Sequence, residues 1–172
     1  SAFRNIPTPT IQQYQDLKFS PRPRYYVEVN EVSQRLDDKS SQKWFIAFRG
    51  ITLAVNERTA IAAILPFSGV GNSAAIILTE LEPKSLQACL LVNICSFTFD
   101  YLVRQKMSGA NLNFFIVKQI PVLPPFVYVP ALQKFILSRV LELTYTSWDL
   151  QPFAQDVGYR GNPFIWEEQR RL

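Results

Sequence analysis

The sequence predicts an α+β fold, with a mixed or antiparallel sheet of short strands and helices packed against it. Three observations predict this. Short apolar runs separated by Gly, Asn and Pro turns fill residues 43–78. Two longer stretches with helical spacing follow, over 82–106 and from Pro130 onward. Hydrophobic residues make up 48% and aromatics 13% of the 172 residues, enough for the core of one domain and against general disorder.

In chain order, residues 1–20 show little periodicity and contain Pro7 and Pro9. They read as an N-terminal arm packing through Phe3, Ile6, Tyr14 and Leu17. Pro21-Arg22-Pro23-Arg24 forces an extended segment that leads into a half-buried strand over 25–29, where Tyr26 and Glu28 alternate with Val27 and Val29. Residues 31–42 mix both charge signs and read as a surface loop or short helix. Residues 43–49 form a buried strand from which Arg49 emerges, and Gly50 lets the backbone turn. Further strands are expected over 60–65, stopped by Pro66, and over 74–78. Glu82-Pro83 opens a single helix through Leu86, Leu90, Phe97 and Tyr101, with Arg104 and Lys106 in the last turn complementing its dipole. From Ser108, a polar Gly/Asn tip passes into an apolar run of β-favouring type that closes on Pro121, Pro124 and Pro125. Pro130 begins a second amphipathic helix, and Pro152 a short one that Gly158 ends.

Composition narrows the function. The chain has no His, which removes the commonest general base, metal ligand and pH switch. Cys89 and Cys95 fall in the one helix expected over 82–106, point to different sides of it, and are expected as buried thiols. No apolar run approaches a membrane span and no leader sequence is visible, so with two non-motif cysteines the expected place is the cytoplasm. Gly69-Val70-Gly71 is too short for a dinucleotide fingerprint, and no phosphate-binding loop occurs. No catalytic constellation, metal site or cofactor site is expected within the chain. Charged residues are only 19%, which suggests surface covered by something else, while the net charge of +4 permits a polyanionic partner.

What remains is recognition chemistry. Arg and Lys suit guanine edges and phosphates, and Asn and Gln suit adenine. The polar loops carry Arg49, Asn56, Arg58, Thr59, Ser68, Asn72, Arg104, Gln105, Lys106, Ser108, Asn111 and Asn113. The competing role is internal: Asn56 and Arg58 brace a turn, and Asn111 and Asn113 satisfy loop backbone.

Gly109, Asn111-Leu112-Asn113 and Ile120-Pro121-Val122-Leu123-Pro124-Pro125 resemble the end of a target-recognition domain, as found in type I restriction specificity subunits and in fused type II restriction-modification N6-adenine methylases. The Glu-Gln pair that follows the prolines in the type I pattern is missing here. The similarity to the fused methylases is wider. It takes in Arg49-Gly50-Ile51, the run from Asn56 to Ala63, Gly69-Val70-Gly71-Asn72, the run from Asn93 to Lys106, and Trp148-Asp149-Leu150 through Gly158-Tyr159. The order of these motifs carries the match. It implies a target-recognition-like domain over 21–158, and a tail over 159–172 leading to the rest of a longer parent. The implied partners are double-stranded DNA and an upstream methyltransferase domain of the same parent, with no membrane. The parent would transfer a methyl group from S-adenosylmethionine to adenine N6, and would belong to a bacterial-type defence system, with or without a nuclease. Neither the glycine motif for that cofactor nor an Asp-Pro-Pro-Tyr-type tetrapeptide occurs in these residues. Residues common to a family that reads many sequences suit scaffold or phosphate roles, which fits Arg58, Gly109 and Asn113. Arg49, Ser68, Asn72 and Lys106 are then the candidates for bases. The alternative is a docking module that packs on a neighbouring domain or subunit, with Tyr159, Phe164 and Trp166 in its surface.

Overall fold

The computed structural model describes residues 8–23, 25–36 and 42–170. Its centre is β1 (Trp44–Arg49), paired antiparallel with β2 (Ala62–Pro66) on one side and β3 (Ala74–Ile77) on the other. Ile46 stands opposite both Ile64 and Ile77. Residues 44–48 are buried throughout, which explains why this strand is continuously apolar rather than alternating. An α+β fold with an antiparallel sheet is therefore what these residues form.

Trp44, Ile46 and Phe48 share one face of β1, which is divided along its length. Trp44 and Ile46 pack with Ala88 and Leu91 of α3 (Ser85–Ile94), Val140 and Leu141 of α6 (Pro130–Thr144), Tyr145, and Phe153 of α7 (Gln151–Asp156). Phe48 packs with Ile94, Leu112, Ile120, and Phe99 and Val103 of α4 (Phe97–Lys106). The expected starts at Pro130 and Pro152 hold, because proline in the first helical turn forfeits no hydrogen bond. Gly158 ends the α7 region with φ at +90°.

Three expected elements are corrected. Residues 25–29 are not a strand: Tyr25 and Tyr26 are 75% and 80% exposed, and α2 (Val29–Leu36) begins where the alternation was to end. The stretch 82–106 is two helices rather than one, α3 and α4, meeting at 56°. Ser96 makes the break by capping α4, its hydroxyl accepting from the Phe99 N–H. The apolar run after Asn113 is helical, α5 (Phe114–Val117), because the Asn113 side chain accepts from the Ile116 N–H and starts a turn. In the tail, Phe164 stacks on Tyr159 at 5.4 Å, and its N–H donates to Tyr145 O.

The N-terminal arm contains α1 (Ile11–Gln15), and Tyr14 stacks on Trp166 at 4.8 Å. Leu17 O accepts from the Trp148 N–H, so arm and tail lie together beside α7. Phe3, Ile6 and Arg24 lie outside the described residues. Among the described residues no single helix is long and apolar enough to cross a membrane.

Both cysteines are free, but only Cys89 is fully buried; Cys95 sits at the C-cap of α3 and is partly exposed. Burial raises both thiols above their ordinary value; at Cys95 a bond from Sγ to Ala62 O and the Arg58 charge oppose the rise. A thiol reagent at neutral pH is expected to modify Cys95 slowly in the native chain and Cys89 only on unfolding. Equal native rates for the two would contradict this placement.

Candidate nucleic-acid interface

β1 delivers Arg49 and Gly50 to one end of the sheet, and Gly50 is where three loops meet. Its N–H donates to Ser73 O at 2.7 Å, and its carbonyl accepts from the Leu112 N–H at 2.7 Å. A β-carbon at position 50 would meet Asn72 O and Ser73 O at 3.4 Å and Leu112 O at 3.6 Å, ordinary contact distances that show how closely the other two segments approach this point. The Thr52 N–H donates to Ala110 O at 3.0 Å, and Ile51 bridges Asn111. The segments 51–59, 71–73 and 108–113 are thereby joined through their backbones.

The 51–59 loop is held from behind by Asp100 of α4, which is only 4% exposed. Asp100 accepts from the N–H groups of Thr59 at 2.8 Å and Ala60 at 2.7 Å, and from Arg104 Nε at 2.7 Å. Arg58 Nε lies 3.6 Å away, as an ion pair. Desolvation alone would raise the Asp100 carboxyl, but the bonds from Ala60, Arg104 and Thr59 outweigh it and hold the carboxyl below its ordinary range.

The arginines also reach backbone carbonyls. Arg104 donates to Ala54 O at 3.2 Å and to Glu57 O. Arg58 donates to Cys95 O at 2.7 Å while lying over the Phe97 ring at 4.9 Å. Arg49 donates to Thr52 Oγ1 and to Arg58 O, both at 3.0 Å. Asn56 donates to Thr52 Oγ1, and the buried Thr59 hydroxyl donates to Leu53 O.

The candidate residues therefore separate into groups. Arg49, Asn56, Arg58, Thr59 and Arg104 come together, but as braces whose polar atoms face the chain itself. Asn113 caps α5. Asn72, Ser108 and Asn111 are exposed at the meeting point of the loops. Lys106 and Gln105 are exposed on the last turn of α4, where Lys106 Nζ donates to Gln119 Oε1 at 3.2 Å. Ser68 is not with them. It follows Pro66, which pairs with Trp44 at the opposite end of β1, and its hydroxyl donates to Pro66 O. Asp100 and Thr52 were missed in the sequence, although Asp100 four residues before Arg104 is a readable helical ion pair. Among the described residues no group of His, Cys, Asp or Glu is placed to hold a metal ion.

No family model, curated protein or solved structure matches the chain.

Proposed function

We propose that this chain is the DNA-recognition module of a restriction-modification adenine-N6 methylase, holding duplex DNA for a methyltransferase domain elsewhere in the parent. The gathering of three loops at one end of β1, around Gly50, carries this reading beside the sequence resemblance. S-adenosylmethionine and the methyl transfer belong to the parent's other domain. Within the module the arginine–Asp100 network fixes the loop backbones, so that exposed side chains are pre-oriented before DNA arrives. Asn72 and Asn111 present amides of the kind that read adenine edges, and Ser108 and Lys106 suit phosphates.

The test is binding of the chain and single variants to duplexes of varied sequence at several salt concentrations. Lys106→Ala should weaken binding to all duplexes alike and reduce the salt slope by about one ion. Asn111→Ala should instead cost about 1–3 kcal/mol at one position of the preferred site and spare non-specific binding. Arg49→Ala should behave as neither, because its guanidinium serves Thr52 and the Arg58 carbonyl, and should loosen the loop. Folded variants with unchanged binding to every duplex would remove these loops as the DNA face.

A second reading, a module docking on a neighbouring domain, is favoured by a specific observation. Tyr25, Tyr26 and Phe126 are 75–84% exposed, a large amount of aromatic surface for a chain with so few charges. Tyr25 and Tyr26 lie by Phe67 and Ser68, at the other end of β1 from Gly50, so docking there is compatible with DNA contact at the Gly50 end.

A further inference from the structure

The two edges of the sheet differ. At β2, Cys95 Sγ donates to Ala62 O, Pro66 has no N–H to offer, and Trp148–Leu150 and α7 pack against the strand. The β3 edge carries no such device among the described residues. Residues 67–79 contain no charge and no proline, and β3 is half-buried along its whole length. Register decides which of its backbone groups face outward. The Gly50 N–H donates to Ser73 O, so the hydrogen-bonded pairs of β1 and β3 are Gly50 with Ser73, Phe48 with Ala75 and Ile46 with Ile77. Ala74, Ile76 and Leu78 therefore turn their backbone groups away from β1. The Ala74 N–H is taken by Gly71 O at 3.0 Å. Among the described residues nothing bonds the Ala74 carbonyl, the Ile76 N–H and carbonyl, or the Leu78 N–H. A row of unpaired groups on an apolar strand is a template for another strand.

We propose that the β3 edge pairs with the β3 edge of a second copy of this chain, antiparallel about a twofold axis at Ile76, to give one continuous sheet across the dimer. The free groups read along the strand as acceptor, donor with acceptor, and donor, a set that is its own complement when reversed. Ile76 exchanges both bonds with its counterpart, and each Leu78 N–H meets the Ala74 carbonyl of the other copy, so none of these groups is left unpaired. The side chains suit the same axis. Ile76 points to the sheet face opposite Ile77 and lines a groove with Val70 and with Val32 and Leu36 of α2. Two such β-branched residues stand opposite each other across the new pair. On the rim of that groove Glu31 and Arg35 are exposed one helical turn apart. A twofold sets each acid toward the base of the other copy, so the rim is complementary in charge to itself. That property favours a second copy over an unrelated extended peptide. The inference stands whether or not the chain binds DNA.

The experiment is sedimentation of the chain from micromolar to millimolar concentration, with amide hydrogen exchange measured at both ends of the range. Wild type is expected to pass from the mass of one chain toward twice that mass. The Ile76 and Leu78 amides should exchange freely in the dilute sample and become protected as the dimer forms. Ile76→Pro tests the centre of the pair. Proline is tolerated on an edge strand where the N–H makes no bond within the chain, but it removes both bonds across the axis. The variant should remain folded and associate about tenfold more weakly or worse. A wild type that stays monomeric throughout would overturn the proposal. So would a dimer in which the Ile76 and Leu78 amides stay unprotected, which would put the contact on another surface such as Tyr25 and Tyr26. Protection of both amides already in the monomer would show the edge closed within the chain and overturn it as well. A folded Ile76→Pro that dimerises like wild type would do the same. If that variant does not fold, the wild-type amides decide alone.

Discussion

Asp100→Ala is expected to cost about 3–5 kcal/mol and to release the 51–59 loop ahead of the sheet. The carboxylate is the shared acceptor for two buried backbone N–H groups and the Arg104 guanidinium. Its removal leaves the Thr59 and Ala60 donors without a partner, at roughly 1–3 kcal/mol each. The Arg58 and Arg104 side chains are about a third exposed, so water screens part of their charge and the ionic share of the loss is the smaller one. Urea unfolding gives the total, and hydrogen exchange of the loop amides gives the order of release. A variant within about 0.5 kcal/mol of wild type would show that Asp100 does not hold the loop. The same group sets an acid limit. Its carboxyl is held below the ordinary 3.8, so between the folded and unfolded values only the unfolded chain binds the proton. The stabilisation is therefore fully present above about pH 4 and drains as pH falls through the folded value. Asp100→Asn should abolish this part of the acid dependence.

Trp44→Ala is expected to cost about 3–5 kcal/mol as well, through a different route. Trp44 has no exposed surface, packs edge-on against Phe153 at 4.9 Å, and donates from Nε1 to Asp156 at 2.8 Å. It ties the start of β1 to α7, so its loss should lower the whole cooperative transition rather than open one loop. Trp44→Phe keeps most of the ring and should lose about 1 kcal/mol with the hydrogen bond, because the exposed Asp156 regains water. Thermal unfolding with a parallel exchange measurement separates the two mechanisms. Local loop release in Trp44→Ala, with the core unchanged, would contradict the packing role. A typical domain has only about 5–15 kcal/mol of stability, so either alanine variant should be visibly weakened.

Much of this architecture was legible, and the failures share a cause. The continuous Trp44–Phe48 run announces a strand buried on both faces, and Pro130 and Pro152 announce helix starts, since those features act locally. The strand expected at 25–29 failed because alternation shows only which faces a strand would have. It does not supply a neighbouring edge, and Tyr25 to Val29 found none. The break at Cys95-Ser96 was written in Ser96, three residues before the N–H it caps, but the apolar period of Leu86, Leu90, Phe97 and Tyr101 continues across it. At 114–117 one asparagine cap outweighed the β-favouring character of four residues. In the candidate site, the identities of Arg49, Arg58 and Arg104 were visible, but not their orientation. An arginine beside a polar loop has the same sequence appearance whether it reaches outward to a phosphate or inward to a carbonyl. For Arg58 and Arg104 that choice was made by Asp100, which also holds Thr59 and Ala60 from forty residues or more away, and for Arg49 by the buried Thr52 hydroxyl and the Arg58 carbonyl.

The braces of the 51–59 loop end largely on main-chain oxygens: Leu53 O, Ala54 O, Glu57 O and Arg58 O. Carbonyl oxygens are the same whatever side chain their residue bears. Ile51, Leu53 and Val55, whose side chains are exposed, can therefore be exchanged without removing a single one of the donors that shape the loop. Such a scaffold separates the part that must be kept from the part that is free to vary. New contact preferences can arise by substitution at three outward positions, each screened against the same fixed backbone, with no need to re-engineer the fold beneath.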